Sequence, residues 1–88
     1  LQQNYPNPFN PRTEILFDIR FQDLATLKIY NIKGQEIITL INKVMNPGFH
    51  KVSWNGVNAN GRELSSGMYF YELVVGDISL RKKLVLLK

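Results

Sequence analysis

From Thr13 the chain alternates. Ile15, Phe17, Ile19 and Phe21 are separated by Glu14, Leu16, Asp18 and Arg20, the period-two pattern of a strand with one buried face. Gln22 and Asp23 supply a turn. Ala25 to Tyr30 then repeats the pattern, with Leu27 and Ile29 inward and Lys28 and Tyr30 outward. Asn31 to Gln35, containing Lys33-Gly34, reads as a hairpin connection to a third strand, Glu36 to Ile41, which is more fully apolar and rich in Ile. Asn46-Pro47-Gly48-Phe49 carries proline and glycine at the two central positions of a type II turn. The next strand, Phe49 to Trp54, sets His50, Val52 and Trp54 on one face and ends at Asn55-Gly56. Residues 57 to 66 form the longest loop of the core, with Asn58, Asn60-Gly61 and Ser65-Ser66-Gly67 as turn chemistry. Met68 to Val75 is apolar on both faces, which places it centrally. Gly76-Asp77 suits a type II′ hairpin loop, and the last strand starts at Ile78 and runs toward Leu87. Its alternation breaks at Lys82 and Lys83, so a bulge or a switch between sheets is expected there.

Residues 1 to 12 read differently. Pro6, Pro8 and Pro11 fix their own backbone angles and bias the preceding residues, Asn7 and Asn10 among them, away from helix. This is a Pro-rich arm, expected to dock on a sheet through its two large side chains, Tyr5 and Phe9, with residues 13 to 88 forming one domain. No stretch carries a helical apolar stripe. Short strands separated by Gly, Asn and Pro predict an all-β, antiparallel β-sandwich. Its shared core is expected to comprise Trp54, Tyr69, Tyr71, Ile15, Phe17, Ile19, Leu27 and Ile29.

Composition narrows the function classes. A chain of 88 residues supports one domain, and 44% hydrophobic with 20% charged residues argues against intrinsic disorder. No apolar run exceeds four residues, so no segment reads as a membrane span. Without cysteine there are no disulfides or thiolate metal sites. The net charge of +4 is localised: residues 1 to 80 hold seven bases and seven acids, and the excess is Arg81, Lys82, Lys83 and Lys88. A nucleic-acid domain spreads its bases over a face, which this chain does not do. The start at Leu1, without methionine or a signal-peptide pattern, suggests a piece of a longer protein.

Candidate chemistry is sparse. The single histidine, His50, has no second His, no Cys and no HExxH pattern beside it, and a packed or edge histidine is the simpler reading. The acids are scattered and the glycines sit singly at turns, so neither a paired-carboxylate site nor a phosphate-cradling loop is formed. Asn58-Ala59-Asn60-Gly61-Arg62-Glu63 offers one carboxylate, too little for calcium, and reads as a turn. Trp54, Tyr69 and Tyr71 could line a sugar platform if exposed, although at period-two positions they read better as core. No catalytic, cofactor-binding or metal residue emerges, which argues against an enzyme.

Taken in order, the motifs resemble a known family. Asn4-Tyr5-Pro6-Asn7-Pro8-Phe9-Asn10-Pro11 followed by Thr13 is similar to the opening of the type IX (Por) secretion system C-terminal sorting domain. So are Leu27-Lys28-Ile29-Tyr30-Asn31 leading to Gly34-Gln35-Glu36-Ile37, and Pro47-Gly48 through Val52, Trp54, Asn55 and Gly56. Asn60-Gly61-Arg62-Glu63-Leu64-Ser65-Ser66-Gly67-Met68-Tyr69-Phe70-Tyr71 and the ending Lys82-Lys83-Leu84-Val85-Leu86-Leu87-Lys88 complete the likeness. The resemblance implies an immunoglobulin-like β-sandwich of about seven strands, the non-catalytic C-terminal module of a larger exported protein. It implies that the cargo crosses the inner membrane by a conventional signal peptide and the outer membrane under direction of this domain. A processing peptidase commonly removes the domain, leaving the cargo released or attached to an anionic surface lipopolysaccharide. One departure is Asn58 and Asn60 where the family often has Asp, which weighs further against metal in that loop. The Ig-like domain of the flagellar hook-capping protein is similar in style.

The tail is then the candidate partner surface: Arg81, Lys82, Lys83, Leu84, Val85, Leu86, Leu87 and Lys88, facing the outer-membrane secretion machinery. Positive charge steers an acidic partner, and a terminal edge strand offers backbone groups for strand addition. The plainer alternative is a closing edge strand whose lysines prevent aggregation. Two other functions stay open at this point: an Ig-like spacer beside cargo domains, and a carbohydrate-binding module using Trp54 and the tyrosines.

Overall fold

The alternating segments fold as strands in a computed structural model that describes residues 1–9 and 12–87. They are β1 (Thr13–Ile19), β2 (Asp23–Asn31), β3 (Glu36–Met45), β4 (Gly48–Trp54), β5 (Gly67–Val75) and β6 (Ile78–Leu86). The described residues thus form six strands where about seven were expected. The four strand-to-strand pairings are antiparallel, whereas the arm meets β6 in a parallel bridge at Phe9 and Leu86. A two-stranded sheet, β1-β4, faces a four-stranded sheet ordered β3-β2-β5-β6, with β5 central as its two-sided apolar pattern requires.

The core is the set of inward positions that alternation selects. Ile15, Phe17 and Ile19 of β1 and Trp54 of β4 meet Ala25, Leu27, Ile29, Tyr69, Tyr71, Leu73, Leu84 and Leu86 of the larger sheet, and Phe9 of the arm joins them. Every residue expected in the shared core is buried. Trp54 satisfies its indole by donating Nε1–H to the Val57 carbonyl at 2.9 Å. Its ring lies 5.5 Å from Phe9 in a tilted pair and 6.0 Å from Tyr69 in an edge-on one. These offset geometries are the favoured ones for aromatic quadrupoles.

Two local expectations are corrected. Phe21 does not continue the buried face of β1: the strand ends at Ile19, and the Phe21 ring is 79% exposed. The ladder between β5 and β6 runs from Val75↔Ile78 to Gly67↔Leu86 without a shift, so there is no bulge at Lys82 and Lys83. The irregularities lie on β3 instead. Register shifts between Leu27 and Lys28 and between Ile29 and Tyr30 leave Leu40 and Ile37 as extra residues on that strand. Each shift turns a further apolar side chain toward the core, and Ile37, Ile38, Leu40 and Ile41 all pack against it. The apolar run of β3 is therefore the signature of its bulges.

Gly76-Asp77 closes the β5–β6 hairpin. Gly76 has φ of +58°, and no described non-glycine residue has positive φ. That excludes type I′, which needs positive φ at both loop residues, and leaves the expected type II′.

Candidate recognition surface along the terminal strand

The terminal strand is an edge strand, and what covers it decides what it can present. Antiparallel pairing with β5 sends the N–H and C=O groups of the odd-numbered residues of β6 away from the sheet. The arm takes up the last of them. Phe9 N–H donates to the Val85 carbonyl at 3.0 Å, and Leu87 N–H donates to the Phe9 carbonyl at 2.9 Å. Val85 N–H donates to Asn7 Oδ1 at 2.9 Å, and Gln3 Nε2 donates to the Lys83 carbonyl at 2.8 Å. The same arm edges the smaller sheet: Gln2 N–H donates to the Leu16 carbonyl at 3.0 Å, and Tyr5 and Glu14 exchange two backbone bonds of 2.9 Å. Nine residues thus lace the β1 edge to the β6 edge.

Two buried polar side chains hold the crossing. Asn4, 2% exposed, donates from Nδ2 to Thr13 Oγ1 at 2.9 Å and to the Pro6 carbonyl at 3.1 Å. Thr13 Oγ1 in turn donates to the Pro6 carbonyl at 2.8 Å. From the core side, the Tyr71 hydroxyl donates to the Gln2 carbonyl at 2.7 Å and accepts from Asn4 N–H at 2.9 Å. Burial pushes the Tyr71 phenol above its ordinary pKa, and the Asn4 N–H partly opposes that by stabilising a phenolate. Composition gave no signal for this network; a Tyr at an inward strand position, needing a partner for its hydroxyl, was the only cue. The expected pair of aromatic anchors is corrected to one. Phe9 is 1% exposed, whereas Tyr5 joins only through its backbone and its ring is 78% exposed.

The tail has two unlike sides. Leu84 and Leu86 were expected among the partner-facing residues, but they are core, because they pair with inward positions of β5. Lys82 pairs with buried Tyr71, so it starts on the inner side, and it is half-buried. Arg81, Lys83 and Val85 alternate onto the outer face, followed by exposed Leu87. The guanidinium of Arg81 lies 5.5 Å from the Tyr30 ring centroid and 6.0 Å from that of Phe70, with Glu72 Oε2 at 3.5 Å. Cation–π attraction and one ion pair therefore fix its head over two outward aromatics. Sequence reasoning missed this platform, although Tyr30, Phe70 and Lys83 share one register row. Beside it, Lys28 and Glu36 form a 3.2 Å pair that raises the lysine pKa and lowers that of the carboxyl. Lys88, Asn10 and Pro11 lie outside the described residues.

Trp54, Tyr69 and Tyr71 are enclosed, so no sugar can stack on them. Asn58 Oδ1 accepts from the N–H groups of Asn60 and Arg62, both at 3.0 Å, which makes the loop an Asx turn as expected. His50 is half-buried, stacks on Phe17 at 5.6 Å, and its Nε2 lies 2.8 Å from the Asn46 carbonyl. A carbonyl can only accept, so the proton sits on Nε2. Of the other motif residues, Pro47 links β3 to β4, Gly34, Gly56 and Gly61 lie in connections, and Gly48 and Gly67 open strands. Exposed Pro6 and Pro8 lie in the arm.

The family model described as secretion system C-terminal sorting domain matches residues 3–87. No curated protein matches. Among solved structures, a part of PorZ shares the fold. PorZ is described as an essential bacterial surface component of the type-IX secretion system of Porphyromonas gingivalis. The TM-score is 0.68 at 20% identity, over 98% of this chain and 11% of that one. Truncated FlgD from Helicobacter pylori matches with a TM-score of 0.63 at 18% identity, over 94% of this chain and 63% of that one. The chain therefore spans about a tenth of the first structure and under two thirds of the second.

Proposed function

The chain belongs to the family of secretion system C-terminal sorting domains, and from that we propose that it is a non-catalytic export signal of the type IX pathway. In this reading it directs a larger cargo, fused N-terminal to it, from the periplasm across the outer membrane to the cell surface or the medium. The secretion machinery recognises the outer side of the terminal strand, and a peptidase of that machinery then removes the domain. The observation that carries this is the sidedness of β6. Its inner leucines seal the sandwich while Arg81, Lys83, Val85 and Leu87 remain available with the fold intact. Clustered charge of one sign raises encounter rates with an acidic partner, and the apolar residues between give it something to bind.

The experiment fuses residues 1–88 to a passive folded cargo in a type IX host and follows export. Replacing Arg81, Lys82, Lys83 and Lys88 with Gln is expected to retain the cargo in the periplasm while the purified domain melts normally. If export persists, the tail is a closing strand and the domain acts as an Ig-like spacer.

A further inference from the structure

We propose that the hairpin end of β6 is a second docking site, one that accepts an extended peptide strand with aliphatic side chains flanked by lysine or arginine. The arm covers only the far half of the β6 edge. Toward the hairpin, the outward N–H and C=O groups of Ser79 and Arg81 have no partner among the described residues. An edge of this kind is a template for strand addition.

Beside that edge the sandwich is open. The smaller sheet has two strands and β1 stops at Ile19, so among the described residues no strand lies opposite the inner face of the hairpin. Ile78 and Leu80 occupy inward positions yet are 61% and 44% exposed. With Ile19, Phe21, Leu73 and Val75 they line a groove of about 380 Å³, large enough to take side chains of a bound strand.

Charge selects the occupant. The lining carries Asp18, Asp23 and Asp77 against Arg20 and the amino terminus at Leu1, which leaves it net acidic. Arg81 does not neutralise them, because it is held on the opposite face of the sheet by Glu72 and two rings. A second copy pairing β6 with β6 would bring two acidic rims together, which like-charge repulsion opposes. A basic-apolar strand is attracted to the rim, fills the groove and completes the ladder. This proposal does not rest on the sorting function, and failure of the export assay leaves it standing.

The probe is a fluorescein-labelled peptide, Lys-Val-Lys-Leu-Lys-Val-Lys, with its Glu-for-Lys counterpart, titrated against the 88-residue chain by fluorescence anisotropy. The basic peptide is expected to bind at least about ten-fold more tightly than the acidic one and to weaken with salt. Amide shifts on binding should map to Phe21 and Ile78–Arg81. Leu80→Lys and the double variant Asp18→Asn/Asp77→Asn should each weaken binding about five-fold or more, and Ser79→Pro, which removes an outward N–H, should do the same. Ile32→Lys, at an exposed position beyond the far end of β2, should not change it. Equal binding of the two peptides, shifts mapped elsewhere, or indifference to both Leu80→Lys and the Asp double variant would overturn the proposal. So would sedimentation of the free chain as a dimer that Leu80→Lys dissociates, since the occupant would then be a second copy.

Discussion

Phe9→Ala tests whether the arm is part of the fold. The ring is 1% exposed, lies 5.5 Å from Trp54, and sits on the stretch of chain that bonds to both Val85 and Leu87. Truncating a buried Phe costs about 3–5 kcal/mol through lost burial and the cavity left behind. At about 0.05–0.15 kcal/mol per residue, an 88-residue domain has about 4–13 kcal/mol in total. The substitution is therefore expected to consume about a quarter or more of the stability. If the arm detaches instead of leaving a cavity, its residues recover about 1–2 kcal/mol each of backbone entropy, which limits the loss. Both routes are readable. Urea unfolding followed by Trp54 fluorescence gives the free energy, and hydrogen exchange at the amides of Val85, Leu87 and Glu14, all bonded to the arm, reports detachment. The expected result is a loss of about 3–5 kcal/mol with faster exchange at those three amides. A loss below about 1 kcal/mol, or unchanged exchange at Val85 and Leu87, would show that the arm rests on the sandwich without supporting it.

Tyr71→Phe should cost about 1–3 kcal/mol by leaving the Gln2 carbonyl and Asn4 N–H without their buried partner. Because the folded-state pKa of Tyr71 is raised, the wild type should be fully stabilised below the ordinary value of 10.0 and lose stability as pH climbs above it; denaturation across that range should show a steeper loss than in Tyr71→Phe, where the slope from Lys28 remains. Gly76→Ala should cost about 1–2 kcal/mol in thermal melting, since φ is +58° there and the new Cβ would fall 2.6 Å from Asp23 Oδ2. Tyr5→Ala, which truncates an exposed ring and leaves the backbone pairing intact, should stay within about 0.5 kcal/mol of wild type.

What the sequence made legible was whatever alternation controls directly. β1 as far as Ile19, and β2, each pack one face, and their inward residues could be read off two by two. β3 resisted because its bulges change parity twice, which looks in sequence like an apolar run with no preferred face. At Lys82 the reverse happened. The pattern broke while the register held, because a long side chain can leave an inward backbone position and carry its ammonium to water. In the arm, prolines abolish any period. Two aromatics four residues apart looked alike, and only the path of the chain decided that Phe9 enters the core while Tyr5 faces solvent. The tail failed for a related reason: composition marked it as a basic-apolar block, whereas the ladder splits it residue by residue into core and surface.

That split changes how the tail has to be interrogated. Deleting its last residues removes Leu86, 1% exposed, together with the Leu87 N–H that bonds to Phe9, so the sandwich loses part of its core and its latch at once. Truncating either Leu84 or Leu86 alone to alanine carries a cost of about 2–5 kcal/mol, comparable with much of the stability of so small a domain. A failure of export after such a deletion would follow from unfolding whether or not any receptor reads the tail. Arg81, Lys83, Val85 and Leu87 are different, because their side chains alternate away from the core and can be exchanged with the ladder in place. Arg81→Gln breaks one exposed ion pair and two ring contacts, and exposed pairs are worth about 0–1 kcal/mol. Charge-neutral and apolar-to-polar exchanges at these four positions therefore separate recognition from folding. Only an export defect that tracks them while melting stays constant assigns the information to the surface.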